Sequence, residues 1–214
     1  EDGEMRGIIP QIAAAVFGRL DIPYTAVVTT SREEYFAAAR APETIVYFDT
    51  RADYNLAEKN GYKLTEPYLR ETISQIRRTG FAGEIKTVAV LRLSDIPEEY
   101  LHSLCGGARL IYFDEDDECV RAVRDGRADV TYRYTYRAQE YMYHDVRNEL
   151  QSVLMPKYRT YFAAGVRAAA NPLLLSIINK GVQAMRDEEI NAILLNIPLT
   201  VTPRLTLADF LYQY

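Results

Sequence analysis

The sequence contains few of the residues from which metal and redox sites are built. Only two cysteines and two histidines occur among 214 residues. Cys105 and Cys119 are fourteen positions apart, a spacing that fits neither a metal site nor a redox motif. His102 and His144 have no second His or Cys at ligand spacing. The sequence therefore predicts no zinc site and no other cofactor.

The pairing of the two cysteines is left open by the sequence. A disulfide would be compatible with an exported protein. A strand predicted over residues 108–113 separates Cys105 from Cys119, however, and would carry them to opposite ends. Two unbridged thiols are therefore the prediction, and a disulfide is the alternative.

An excess of basic residues is missing as well. The chain has 25 Lys and Arg against 30 Asp and Glu, which gives a formal net charge of −5. Because proteins that bind nucleic acids present a basic face, the sequence predicts no nucleic-acid partner. The tyrosine- and arginine-rich stretch 131–143 is accordingly interpreted as a strand edge and an amphipathic helix. The acidic run 114–118 lacks the glycine and terminal Glu of a calcium loop, which favours a solvated helix start.

Signatures of membrane spans and of common enzymes are absent too. No window holds the ~18 consecutive apolar residues of a transmembrane helix. The chain has no G-x-S-x-G, H-E-x-x-H or P-loop motif, so the sequence predicts a protein that is not an enzyme. It begins at Glu1 without Met and ends in the apolar-periodic run 206–214 without a helix cap. We therefore expect a piece of a longer protein.

Alternating strands and helices are what the sequence does contain. Folding of a chain this long buries roughly 70% of its unfolded surface, which allows one large domain or two lobes. The predicted helices span residues 7–20, 32–40, 94–104, 114–124, 136–147, 171–186 and 187–195, and the predicted strands span 24–29, 44–48, 72–78, 86–91, 108–113, 129–133 and 160–167. Ser94 or Asp95 is predicted to cap the third helix. This alternation of strand and helix is typical of parallel sheets covered by helices.

Two long extended stretches flank the middle of the chain and predict a two-lobed organisation. We expect residues 1–75 and 162–214 to form lobe one and residues 76–161 to form lobe two. The chain would then cross between the lobes twice and leave a cleft between them. Small-molecule sites concentrate in such clefts.

Several short motifs resemble those of a known family. They are Asp2-Gly3 followed by Gly7-Ile8, Leu64-Thr-Glu-Pro-Tyr-Leu69, Thr87-Val-Ala-Val90, Ala122-Val-Arg-Asp-Gly-Arg-Ala-Asp-Val130, and Asn171-Pro-Leu-Leu with Ile178-Asn-Lys-Gly181. In this order they resemble the extracellular solute-binding proteins of family 3, and they cover nearly the whole chain. The resemblance implies an α/β, two-lobed periplasmic-binding-protein type II fold with two hinge crossings and an interlobe cleft.

The chain departs from that family where amino-acid ligands are gripped. The position of the family's carboxylate-binding Arg falls on Glu58, while Arg51 lies closer to the strand end. The turn 92–95 lacks the family's glycine, and the position of its acidic amino-group ligand falls on Tyr134. The family's first strand is also missing. The resemblance therefore implies a small polar solute and leaves its identity open.

Candidate ligand-binding residues follow from the expectation that strand ends, helix starts and aromatic walls hold a ligand in a cleft. They are Asp49, Thr50, Arg51 and Tyr68 in lobe one, and Ser94, Arg133 and Tyr134 in lobe two. Each has a purely structural alternative. Residues 49–51 could form a turn with a local ion pair, and Tyr68 could pack at the hinge. Ser94 could be an N-cap, and Arg133 and Tyr134 could simply be exposed at a strand end.

The function that the resemblance implies is sensing without catalysis. We expect an extracellular or periplasmic ligand-binding domain that is tethered to a membrane and fused to transmembrane and cytoplasmic signalling modules. Two alternatives stay open. One is the cytoplasmic effector-binding domain of a transcription regulator, which shares the two-lobed architecture. The other is a degenerate pair of lobes that binds a partner protein.

Overall fold

The chain divides into two compact units, and two of its strands pass from one unit into the other. The computed structural model describes residues 7–27, 29, 32–92, 94 and 96–200, without the side chains of residues 32, 33, 36, 49 and 196–200. The described part of unit 1 lies within residues 1–71 and 160–199, and that of unit 2 is Thr72–Arg159. The predicted lobe boundaries, after residues 75 and 161, fall inside the two strands that carry the chain from one unit to the other.

Eight helices and seven strands are found among the described residues. The helices are α1 (Ile8–Leu20), α2 (Arg32–Arg40), α3 (Tyr54–Lys59), α4 (Glu98–Cys105), α5 (Asp116–Arg124), α6 (Thr135–Tyr143), α7 (Pro172–Gln183) and α8 (Asp187–Thr200). The strands are β1 (Val46–Arg51), β2 (Tyr62–Leu64), β3 (Leu69–Arg78), β4 (Thr87–Leu91), β5 (Arg109–Phe113), β6 (Val130–Tyr134) and β7 (Leu150–Arg167). Within these helices, none combines the length and apolar content that crossing a membrane requires.

Unit 2 is built on parallel strands, as the sequence predicts. Strand β4 lies between β5 and β6 and runs parallel to both, and β3 pairs antiparallel with β6. Alternate residues of β4 enter two different core clusters: Ala89 packs with Cys119 and Val123 of α5, and Val88 packs with Leu101 of α4. Because successive side chains of a strand point to opposite faces, helices cover this sheet on both sides.

The turn before β6 explains the glycine and aspartate of the motif 122–130. Gly126 has a φ of 77°, a left-handed conformation that other residues adopt at a cost. The Asp129 carboxylate Oδ2 accepts hydrogen bonds from the Lys86 and Thr87 amides at 2.9 and 2.8 Å and from Thr87 Oγ1 at 2.9 Å. Arg78 Nη1 donates to the carbonyl oxygen of Val123 at 2.6 Å. The motif therefore anchors the beginning of β4 to the beginning of β6.

Unit 1 corrects two expectations. Residues 24–27 and 29, predicted as part of a strand, form no strand, and Val27 is 65% exposed. Strands β1 and β2 each pair antiparallel with the C-terminal part of β7, so the parallel arrangement predicted for this unit is wrong. Strand propensity acts through pairing and packing. Here Tyr24 instead stacks on Phe17, with ring centroids 4.6 Å apart.

Both cysteines are unbridged and buried, as predicted. Cys105 Sγ lies 3.1 Å from the hydroxyl of Tyr132, which accepts a hydrogen bond from Gln75 Nε2 at 2.7 Å. Burial raises the pKa of the Cys105 thiol, and the hydrogen bond between Cys105 and Tyr132 only partly offsets the rise. The two thiols are therefore core residues of unit 2.

Candidate functional site

The carboxyl ends of the three parallel strands meet at one edge of unit 2, which we call the carboxyl edge. Helices α4, α5 and α6 begin shortly after β4, β5 and β6, so their N-terminal turns lie at this edge. In open α/β sheets, ligands bind outside the carboxyl ends of the strands, where helix N-termini also favour polar groups. Ser94, Arg133 and Tyr134, the three predicted residues of lobe two, all lie here.

Ser94 belongs to a turn and is not the helix cap that the sequence predicted. Its amide donates to the carbonyl oxygen of Leu91 at 3.0 Å, and its Oγ accepts from the amide of Ile96 at 3.1 Å. Helix α4 begins only at Glu98, with Pro97 at the N-cap position. Because three residues separate Ser94 from the first residue of α4, its hydroxyl orders the loop after β4 rather than the helix.

Arg133 is buried rather than exposed at its strand end. Only 5% of the residue is accessible. Its Nη1 donates to the carbonyl oxygen of Tyr132 at 2.6 Å, and its Nε lies 2.9 Å from Asp116 Oδ1. Because burying a charge is costly unless it is paired, the Asp116 carboxylate is what makes this burial tolerable. The sequence could not reveal this partner, since it comes from the helix after a different strand.

Asp116 connects Arg133 to a second arginine. Its Oδ2 lies 3.5 Å from Arg137 Nη2, and Arg137 Nη1 donates to Glu140 Oε2 at 2.5 Å. Burial lowers the pKa of the Arg137 guanidinium, but the carboxylates of Glu140 and Asp116 outweigh burial and raise this pKa overall. An ionic network therefore joins the first turns of α5 and α6. Within α6, the i,i+3 spacing of Arg137 and Glu140 is the sequence signal that could have indicated this pair.

A cluster of hydroxyl groups lies beside this network. Thr135, the first residue of α6, places its Oγ1 2.9 Å from Thr72 Oγ1 and 3.2 Å from Ser74 Oγ. The register of β3 against β6, with Ile73 opposite Tyr134, brings these side chains together. Sequence reasoning missed the cluster, because it depends on pairing between residues that are 63 and 61 positions apart in the chain.

Tyrosine rings provide apolar surface near these polar groups. Tyr134 stacks on Tyr136 with ring centroids 6.3 Å apart and planes 7° from parallel. Tyr100, in the first turn of α4, packs against Tyr158 of β7 with centroids 4.5 Å apart. Burial raises the pKa of the Tyr100 hydroxyl. Neutral tyrosines of this kind offer both a ring face and a hydroxyl to a bound molecule.

The four predicted ligand-binding residues of lobe one lie in unit 1. Thr50 Oγ1 accepts from the Tyr47 hydroxyl at 3.1 Å, and Arg51 Nη2 lies 3.6 Å from Asp53 Oδ2, the local ion pair that was the alternative reading. The side chain of Asp49 lies outside the described part of the chain. Tyr68 is buried against Phe48, with ring centroids 5.7 Å apart. A role of these residues in ligand binding stays a prediction.

A groove of about 580 Å³ on unit 2 lies away from all these residues. It is lined by residues 83–86 and 104–108, which precede β4 and β5 and so lie at the amino ends of the parallel strands. Among the described residues, no group of three or more His, Cys, Asp or Glu side chains is placed to hold a metal ion. Of the features of unit 2, the carboxyl edge is the one that gathers polar side chains and tyrosine rings.

Comparison with known proteins supports the fold and not a closer relationship. No family model and no curated protein matches the chain. The periplasmic VFT2 domain of BvgS from Bordetella pertussis matches with a TM-score of 0.72 at 19% identity, over 89% of this chain and 83% of that one. The arginine-, lysine-, histidine-binding protein ArtJ from Geobacillus stearothermophilus matches with a TM-score of 0.70 at 17% identity, over 96% and 90%.

A third similar structure is the amino acid ABC transporter substrate-binding protein AbpA from Streptococcus pneumoniae, bound to L-arginine. It matches with a TM-score of 0.72 at 13% identity, over 93% of this chain and 87% of that one. The chain therefore has the two-lobed periplasmic-binding-protein fold, which confirms the predicted fold class. The names of these neighbours describe binding proteins or a periplasmic domain rather than enzymes.

Proposed function

We propose that this chain is a ligand-sensing domain that binds a small polar solute through the carboxyl edge of unit 2. The observation that carries the proposal is the convergence there of the half-buried Thr72 and Thr135 hydroxyls, which the buried Ser74 hydroxyl supports, next to the stacked pair of Tyr134 and Tyr136. Hydroxyls donate and accept hydrogen bonds, and tyrosine faces cover apolar parts of a ligand. On the fold of solute-binding proteins, this combination suits a small molecule with several polar groups.

Within unit 1, Arg51 is the predicted residue best suited to hold an anionic group of a ligand. It pairs with Asp53 over 3.6 Å, with side chains 31% and 38% exposed. Such surface ion pairs contribute only about 0–1 kcal/mol, so the pair with Asp53 can be broken at little cost. AbpA is bound to L-arginine, but Glu58 and Tyr134 of this chain differ from the family's amino-acid ligands. We therefore propose a polar solute without naming an amino acid.

We further propose that the domain works outside the cytoplasmic membrane, in a protein with transmembrane and cytoplasmic signalling modules. The support is the likeness to the BvgS periplasmic domain, of which this chain covers 41% with a TM-score of 0.72 at 18% identity. A solute that binds one arrangement of the fold more tightly than another shifts the population toward it. That shift would be the signal passed to the rest of the protein.

A specific observation favours one second candidate, the binding of a partner protein by a pair of lobes that no longer takes a solute. Leu173 and Ile177 of α7 are 67% and 39% exposed and lie one helical turn apart on the same face. An apolar helix face left in water is typical of a protein contact. This alternative predicts that no solute stabilises the domain.

The two candidates are separated by a thermal-shift screen against amino acids, dicarboxylates, sugars and short peptides. A solute at 100 times its Kd stabilises the folded state by ~2.7 kcal/mol. We expect at least one class to raise the melting temperature saturably, and Thr135→Val to abolish that response. Thr79→Val is the matched control, because Thr79 donates its hydroxyl to the carbonyl oxygen of Asn148 just beyond the other end of β3. No response across the panel would contradict solute binding.

A further inference from the structure

The three arginines at the carboxyl edge of unit 2 are all engaged by carboxylates of the same chain. Arg133 and Arg137 contact Asp116, and Arg92 Nε lies 2.7 Å from Asp114 Oδ1. From this pattern, and resting on the proposed function, we infer that Asp116 determines ligand specificity. Its carboxylate occupies Arg133, so the part of the solute held by unit 2 carries no anionic group and is uncharged or cationic.

The first argument is that Arg133 offers no open face to a ligand. The residue is 5% accessible, and its Nη2 is buried without a hydrogen-bond partner in the part of the chain that the structure describes. Its contact with Asp116 is an ion pair at 2.9 Å that lacks the linear N–H···O geometry of a hydrogen bond. A ligand carboxylate would have to replace Asp116 to reach the guanidinium, because that carboxylate is the exposed side of the pair.

The second argument is that Asp116 is held firmly. It lies in the first turn of α5, where the helix dipole stabilises a carboxylate. Its second oxygen lies 3.5 Å from Arg137 Nη2, and its side chain is 26% exposed. Removing one partner of a buried ion pair is unfavourable, because it leaves an uncompensated charge. An anionic ligand must offset that cost before it gains any affinity.

The third argument is the charge around the pair. Residues 114–118 are all acidic, and they lie between the end of β5 and the first turn of α5. Like charges clustered at a surface repel a second anion and raise the local concentration of cations. A ligand carboxylate or phosphate would meet this repulsion before it met Arg133. The carboxyl edge therefore disfavours anionic ligands for two reasons. Asp116 already occupies the Arg133 guanidinium, and the acidic residues 114–118 create a negative field around it.

Chemical rescue tests the inference. In Asp116→Ala the guanidinium of Arg133 loses its carboxylate and leaves a space of carboxylate size. We expect the melting temperature of this variant to fall and then to recover saturably with acetate at constant ionic strength. Neither the wild type nor Asp116→Ala/Arg133→Gln should respond. Asp117→Ala is the matched control, because Asp117 is a neighbouring acid that accepts a hydrogen bond from the half-buried Tyr141 at 2.7 Å and forms no ion pair with Arg133 among the described contacts.

A second variant keeps the test decisive if Asp116→Ala does not fold. Asp116→Asn preserves size and removes the charge, and we expect it to gain stabilisation by succinate that the wild type does not show. Two results would overturn the inference. One is that acetate raises the melting temperature of Asp116→Ala no more than that of Asp117→Ala. The other is that the wild type binds succinate and that Arg133→Lys weakens this binding at least tenfold. Because these experiments use acetate and succinate as probes, they give a result whether or not the thermal-shift screen finds a solute.

Discussion

Single carboxylates fix the ends of strands in unit 2, and Asp129 shows how. Its side chain accepts three hydrogen bonds from Lys86 and Thr87, which hold the first residues of β4 against the turn before β6. Hydrogen bonds to charged groups contribute more than neutral ones, so we expect Asp129→Ala to lower the free energy of unfolding by about 2 kcal/mol. Urea denaturation measures this change. Asp125→Ala, which removes an exposed carboxylate paired with Arg127, should change it by less than about 0.5 kcal/mol.

The contribution of Asp129 also depends on pH with a definite sign. Burial raises its pKa, but the hydrogen bonds from Lys86 and Thr87 outweigh burial and lower the pKa below the ordinary value of 3.8. The folded state thus favours the ionised form, and the stabilisation is present above the ordinary carboxyl pKa. It is lost as the pH falls through the lowered pKa. The stability difference between the wild type and Asp129→Ala should therefore shrink below about pH 4, and a constant difference down to pH 2 would contradict this account.

Residues differ in how far the sequence reveals their role. The Gly126 and Asp129 motif is local, so its match to the family predicts a turn that the structure contains. Arg133 follows the same motif by a few positions, but its burial depends on Asp116, which comes from a helix after another strand. Thr135 depends likewise on its register with Thr72. The role of a residue can be predicted when its interaction partners are near in the sequence. It cannot be predicted when the pairing of distant strands brings those partners together.

At the scale of elements, a glycine sets the contact between α1 and α7. A Cβ added at Gly181 would lie 2.8 Å from Leu20 Cδ1 and 2.9 Å from Val16 Cγ1. Gly181→Ala gains about 1 kcal/mol of helix propensity but overpacks this contact by about 1–3 kcal/mol, so we expect net destabilisation. Gly18→Ala is the control within α1, because a Cβ at Gly18 meets nothing within 4 Å. It should stabilise the protein by about 0.5–1 kcal/mol, and thermal unfolding of both variants checks the opposite signs.

Elements of unit 2 could be predicted because apolar runs and turns alternate regularly there, and the three parallel strands occur near their expected positions. Unit 1 could be predicted less well. Residues 24–29 have strand-like composition, yet they lack a strand partner among the described residues. The sequence also did not indicate that β7 extends over 18 residues and pairs antiparallel with β1 and β2. Pairing direction is set by long-range contacts, which the periodicity of a single segment does not report.

At the scale of the whole molecule, the fold and the chemistry of its candidate site lead to one account. The chain has the two-lobed fold of periplasmic binding proteins, and unit 2 presents hydroxyls and tyrosines at an edge where its arginines are already paired. Such a surface suits recognition by hydrogen bonding and stacking more than the gripping of an anion. We therefore expect the proposed sensor to bind a solute whose chemistry differs from that of the L-arginine bound to AbpA.

The most direct test of the central claim is a calorimetric titration of the wild type with the solute that stabilises it most in the thermal-shift screen. The account predicts saturable binding with one site per chain, no detectable conversion of the solute, and at least a tenfold weaker Kd for Thr135→Val than for Thr79→Val. No saturable heat from any class of solute in the panel, or equal affinity of the two variants, would contradict it.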